Sequence, residues 1–221
     1  MYLSRIPLNI AKIETMRALT SPNMLHGAVA HSLDTDGKRS LWRIDWLKEE
    51  PYLLVLSHSQ PDFFDIARRY GFSPDECPWE IKPYDPFLDR LCNGQQWRFR
   101  LRANPVRSSA FNKDEKEGRG KVFAHVTVEQ QKHWLSLRGN PNGFVVENSA
   151  FDVVHSQWSK FRKGQDTGRE VSLHMVSFEG ILTITDISLF RKALIEGIGR
   201  AKAYGCGLMT LARIRGTVND E

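Results

Sequence analysis

The sequence predicts an α+β protein made of two tandem ferredoxin-like units, each of order βαββαβ. Three observations point there. Strand-period and helix-period segments follow that order along the first half of the chain and recur in the second. The 221 residues, 41% hydrophobic, suffice for two small cores. Asn104-Pro105 marks the boundary, because a residue before proline is pushed out of the helical region and the next dozen residues turn polar. The units are therefore expected to span 1–103 and 104–221.

In the first unit, "MYLSRIPL" reads as a strand and "NIAKIETMRALT" as a helix, with Ile10, Ile13, Met16 and Leu19 as its apolar face. Ser21 as N-cap and Pro22 in the first helical position start a second helix, "SPNMLHGAVAHSL", whose apolar side is Leu25, Ala28, Val29 and Leu33. "DTDGKR" makes a turn. "LWRIDW" and "YLLVLSH" are strands joined through "LKEEP", and 61–71 is a short helix closing on glycine. "QQWRFRLRANP" alternates at strand period: Trp97, Phe99 and Leu101 point one way, Arg98, Arg100 and Arg102 the other. It is expected to be the fourth strand of this unit.

In the second unit, "GKVFAHVTV" reads as a strand and "EQQKHWLSLRG" as a helix. "GFVVENSAFDVVHSQWSKF" is one long strand or two, "EVSLHMVSFEGILTIT" a further pair, and "DISLFRKALIEGIG" a helix leading into a glycine-rich stretch.

Composition removes several classes of function. Thirty-one Lys and Arg against twenty-six Asp and Glu leave a net charge of +5, which favours a phosphate-rich partner without requiring one. Three scattered cysteines, Cys77, Cys92 and Cys206, form neither a disulfide framework nor a zinc motif, as in a reducing compartment. No apolar run approaches a membrane span and the N-terminus lacks a signal-peptide pattern, so a soluble cytoplasmic protein is expected. There is no H-E-x-x-H, G-x-S-x-G or P-loop, and "DTDGK" has Lys38 where a calcium loop needs an oxygen ligand. No metal or cofactor is expected.

The stretch "GIGRAKAYGCGL" (197–208) supplies G-x-G, but Lys202 occupies the third glycine position of a dinucleotide fingerprint, and the stretch follows a helix. Two readings stay open: tight turns that let backbone pass closely, or exposed amides with Arg200 and Lys202 facing phosphates. The segment "SQWSKFRKGQDTGRE" gathers Lys160, Arg162 and Lys163 around Phe161, either to grip phosphates or as a solvated charge run. Among seven histidines, His125, His133, His155 and His174 read as partly buried structural residues and His58 as a strand end. His26 falls on the flank of its helix beside the apolar stripe, a half-open setting suited to proton transfer, and equally to a plain boundary residue.

"WRFRLRANPVR" (97–107), "RGKVFAHV" (119–126) and "SFEGILTITDISLFRKALIEGIGRAKAYGCGLMTLARI" (177–214) resemble the CasE family of CRISPR-associated endoribonucleases. "MYLSRIPL" and the "LH" of "SPNMLHGAV" are similar too. The resemblance implies tandem ferredoxin-like (RRM-like) domains and the CRISPR repeat stem-loop as substrate. It further implies metal-independent cleavage of precursor RNA at the 3′ base of the stem, and retention of the product among other Cascade subunits. Through the "LH" match it makes His26 the catalytic histidine. It nominates Arg102, Lys121, Arg200 and Lys202 for the RNA, joined by Lys160, Arg162 and Lys163 from charge and loop context. Relatives often carry a tyrosine three residues before the histidine, where this chain has Asn23; that assistance is then dispensable or comes from elsewhere. The competing expectation is a non-catalytic RNA-binding subunit of the same fold.

Overall fold

The computed structural model describes residues 1–33, 39–73, 79–108, 121–162 and 170–214. The "DTDGK" turn, Cys77 and Lys163 lie outside the described residues.

The first sheet has strand order β2-β3-β1-β4, all antiparallel, from β1 (Tyr2–Pro7), β2 (Leu41–Leu47), β3 (Glu50–Ser57) and β4 (Glu80–Pro83). Helices α1 (Ile13–Thr20), α2 (Pro22–His31) and α3 (Phe64–Tyr70) accompany it, and α4 (Asp85–Leu88) follows. The second sheet runs β11-β5-β10-β8, with β9 also paired to β10. Its strands are β5 (Gln96–Ala103), β8 (Phe144–Val145), β9 (Phe151–Arg162), β10 (Glu170–Ile184) and β11 (Met209–Ala212), with helices α5 (Val128–Gly139) and α6 (Ile187–Glu196). Short strands β6 (Val106–Ser108) and β7 (Val122–Ala124) form a separate ribbon. Both sheets have the ferredoxin-like arrangement, in which the first and third strands lie between the second and fourth.

This assigns "QQWRFRLRA" differently from the sequence expectation. β5 hydrogen-bonds to β10 and β11 and so opens the second unit, while the fourth strand of the first is β4, Glu80–Pro83. By sheet membership we place the boundary before Gln96 and not after residue 103. Alternation identifies a strand without naming its sheet; what assigns β5 is its apolar face, since Phe99, Leu101 and Ala103 pack with Trp134 of α5, Phe190 of α6 and Phe178 of β10. β4 escaped notice because its four residues are short and largely exposed. Pairing decides three further segments. "GKVFAHVTV" contributes only β7, which pairs with β6; "EVSLHMVSFEGILTIT" is one 15-residue strand and not a pair; and of the two readings open for 143–161, one strand or two, the chain takes the second, as β8 and β9.

Helix α2 buries Leu25 and Val29, as its spacing predicts, with Leu33 just beyond its end. Helix α1 does the reverse of expectation: Thr15 and Ala18 are buried, whereas Ile10, Ile13 and Met16 are about half exposed or more. The Thr15 hydroxyl donates to the Tyr70 carbonyl at 2.8 Å in a buried bond, which turns the small-residue face inward against the end of α3. The β2–β3 connection is also tighter than "LKEEP". Only Lys48 and Glu49 form the turn, with φ of 51° and 69°, the left-handed backbone of a two-residue hairpin.

The first sheet is apolar on both faces. Ile6, Trp42, Leu53 and Val55 join Leu25, Val29 and Phe63 in the first unit's own core. Leu41 and Leu56 belong to the other core, with Phe99, Phe178 and Leu194. That is why "YLLVLS" reads as a continuous apolar run: both sides of β3 are covered. The two units therefore share a seam, pinned by Arg43 of β2. Its Nε and Nη2 donate to Asp45 at 2.7 and 2.6 Å, Nη1 to the Arg100 and Leu208 carbonyls at 2.8 Å each, and Nη2 also to Thr210 Oγ1 at 2.7 Å. Every guanidinium N–H has an acceptor.

Candidate active site and nucleic-acid interface

His26 lies on the exposed side of α2, one residue beyond buried Leu25. Its ring meets Tyr204 edge-on, with centroids 6.1 Å apart and planes at 63°. Tyr204 packs in turn on Phe161 of β9 at 4.8 Å. One phenol thus links the candidate catalytic helix to the basic end of the second sheet. Asn23 is half-buried on the same helix.

The glycine-rich stretch is what brings Tyr204 there. After α6 the chain turns through Gly197, Ala201 and a 3-10 turn, Lys202–Tyr204, then through Gly205 and Gly207; Gly197, Gly199, Gly205 and Gly207 all have φ between 77° and 94°. A Cβ on Gly205 would stand 2.8 Å from the Trp42 ring. The choice between tight turns and exposed amides thus falls toward close packing, because this turn lies against α2 and β2.

The nominated cations among the described residues occupy five settings. Lys202 Nζ donates to the Glu196 carbonyl at 2.6 Å, at the end of α6 where carbonyls lack helical partners. Burial, and then the charge of Arg39, hold its pKa below the usual lysine value against the pull of Glu196. Arg200 Nη2 reaches Ser108 Oγ at 3.3 Å and lines a groove of about 350 Å³ with Arg107, Arg138 and His125. Lys160 and Arg162 are exposed on β9, on the strand face opposite Phe161 and shared with exposed Trp158, which stacks on His174 at 4.6 Å. Lys121 is exposed just before β7.

Arg102 is in none of these places. The face Arg98, Arg100 and Arg102 splits: Arg98 is exposed, Arg100 donates to Glu179 at 2.6 Å and lies 3.7 Å from Asp45, and Arg102 turns into the seam. There it lines a cleft of about 470 Å³ together with Trp42, Trp46, His155, Gln157 and Tyr204.

Of the structural histidines, His174 is buried, with Nδ1 against the His125 carbonyl at 3.1 Å and Nε2 against Ser156 Oγ at 2.8 Å. His133 and His155 are exposed, contrary to expectation: His133 lies on the outer side of α5, and His155, on the Phe161 face of β9, opens onto the cleft. Burial, aided by Arg107 and His133, lowers the His125 pKa. Sequence reasoning passed over Tyr204, Arg107 and Arg138. Tyr204 and Arg107 stand inside motifs quoted for other residues, while Arg138 ends a helix whose period reports packing only.

Two ferredoxin-like units with an imidazole beside their shared cleft and basic groups on the flanks form an architecture suited to a long polyanion. The comparisons with known proteins agree. A family model described as CRISPR associated protein matches residues 1–213, and the chain belongs to that family, in its CasE/Cse3 branch. The CRISPR-associated endoribonuclease Cse3 of Thermus thermophilus is 29% identical over 225 residues, covering 96% of this chain and all of that protein. The CRISPR system Cascade subunit CasE of Escherichia coli is 32% identical over 118 residues, 52% of this chain and 56% of that one. A solved structure of the endoribonuclease Cse3 bound to a 19-nucleotide RNA superposes with a TM-score of 0.79 at 28% identity, over 96% of this chain and all of that chain. No helix among the described residues is long and apolar enough to cross a membrane.

Proposed function

We propose that this protein processes CRISPR RNA within Cascade: it binds the repeat stem-loop and cuts the precursor at the 3′ base of the stem, with His26 as the proton-transfer group. The observation that carries the reading is the exposed imidazole held edge-on by Tyr204 beside the interdomain cleft, in a chain whose relatives are named as CRISPR endoribonucleases. The ribose 2′-oxygen attacks the adjacent phosphorus and loses its proton; the P–O5′ bond breaks and the 5′-oxygen gains one. The ends are a 2′,3′-cyclic phosphate and a 5′-hydroxyl. His26 serves one of these two transfers, and no metal takes part.

The nucleophile belongs to the substrate, so the protein must supply geometry and charge. Tyr204 fixes the ring, and Lys202 on the same turn, with Arg39 nearby, adds positive potential for charge gathering on phosphorus. The stem's A-form major groove is too narrow to read, so the outlying cations Lys121, Lys160, Arg162 and Arg200, joined on sequence grounds by Lys163, hold phosphates by shape.

Single-turnover cleavage of the host repeat RNA tests this. His26→Ala is expected to lower the rate by about 10²- to 10⁴-fold with stem-loop affinity unchanged. A 2′-deoxy nucleotide at the cut should abolish cleavage and preserve binding, and EDTA should change neither. Unchanged cutting by His26→Ala would remove the mechanism and leave a binding subunit. The limb of the pH profile that His26→Ala erases assigns its role: base if the rate falls toward acid, acid if it falls toward alkali.

A further inference from the structure

The seam between the units holds three guanidinium groups, Arg43, Arg100 and Arg102, and two carboxylates, Asp45 and Glu179. Arg43 takes both oxygens of Asp45, and Arg100 takes Glu179 with Asp45 at 3.7 Å. Arg102 is left over. Among the described residues its side chain has no hydrogen-bond acceptor and no ion pair, and its Nε is sealed from solvent. Burial also draws its pKa below the ordinary arginine value. A sealed guanidinium N–H without an acceptor is costly, and native structures rarely keep one.

The second orphan lies in the same cleft: Trp42, only 3% exposed, has a buried Nε1 without an acceptor. The cleft holds about 470 Å³, within the usual range for small-ligand pockets and large enough for one nucleotide. Its wall includes the half-exposed ring of Trp46, Tyr204 and the polar ends of His155 and Gln157. An excess cation and an exposed aromatic face match the phosphate and flat face of an unpaired nucleotide. Tyr204 borders this cleft and touches His26, so a nucleotide seated here lies next to the cutting site.

We propose that the interdomain cleft is a binding site for a single unpaired nucleotide flanking the RNA stem, its phosphate on Arg102 and its base against Trp46. The proposal rests on the reading of the chain as a stem-loop-binding nuclease, and it adds a second contact zone apart from the outer basic surface. An acidic side chain from a protein partner is the rival occupant.

The test uses the full chain carrying His26→Ala, so that RNA stays intact, and three RNAs: the bare repeat stem-loop and the same stem-loop with a single-stranded 5′ or 3′ flank. One flank is expected to tighten binding about tenfold, and adding Arg102→Met should erase that gain while leaving bare stem-loop affinity as it was. The salt dependence of log K for the flanked RNA should lose about 0.7 in slope. Because Met removes an uncompensated charge, the melting temperature should hold or rise. Equal affinity of the parent for all three RNAs overturns the site, as does equal weakening of all three by Arg102→Met. A melting temperature lowered by both Arg102→Met and Arg102→Gln makes Arg102 structural and also overturns it. Failure to bind any of the RNAs defeats the nuclease reading itself, and the site with it.

Discussion

Arg43 and Arg102 come from opposite units and meet the same seam, the first fully buried and the second partly exposed, and their surroundings differ at every polar atom. Arg43 places five N–H groups on five acceptors: two oxygens of one carboxylate, two carbonyls and a hydroxyl. Arg102, two residues along β5 from Arg100, has no acceptor among the described residues and borders open volume. The contrast separates two uses of a buried cation. A saturated guanidinium fixes how two sheets dock, whereas an unsaturated one beside a cavity keeps its binding capacity for something that arrives later.

The contrast can be broken most forcefully at its closed end. Arg43→Met leaves the Asp45 carboxylate buried and should cost about 3 kcal/mol, the lower part of the range for breaking a buried pair, because Arg100 still lies within 3.7 Å. Chemical denaturation reads it, and the double change Arg43→Met, Asp45→Leu should recover a large part. If Arg43→Met melts like the parent, the seam is not held as described. Next in size is Tyr204, where the open end meets the chemistry. Tyr204→Ala should slow cleavage roughly 10- to 100-fold at unchanged affinity for the bare stem-loop, since loss of ring alignment acts on rate. Tyr204→Phe keeps the edge-on contact and should cleave near the parent rate; a slow Phe variant would show that the hydroxyl matters, and the ring contact alone would then be an insufficient account. The smallest effect belongs to the hairpin at the outer end of β2. Lys48→Asn with Glu49→Gly relieves two left-handed positions and should add about 1 kcal/mol without touching cleavage, which makes it the control that separates stability from rate.

Much of the candidate site was legible in one dimension, and particular residues show how far. His26 stood out because the helical period put it beside a buried stripe, and Leu25 and Val29 are indeed buried. The glycine-rich stretch stood out by composition, and its positive φ angles agree with the tight-turn reading. Tyr204 did not stand out, because nothing local says that residue 204 meets residue 26. Helix α1 misled for a related reason: apolar spacing marks a face, but a buried Thr15 hydroxyl bound to Tyr70 decided which face turned inward.

What the chain determined by itself is most of the elements and their periods, and the turn chemistry that glycine makes available, since these depend on neighbours a few residues apart. Only the tertiary structure decided that β5 opens the second unit, that Arg43 is spent within the seam, and that Arg102 is not. The physical reason is that sheet membership and charge pairing are settled by contacts across scores of residues, Arg43 to Leu208 among them, and no local pattern of side chains encodes which partner will stand opposite.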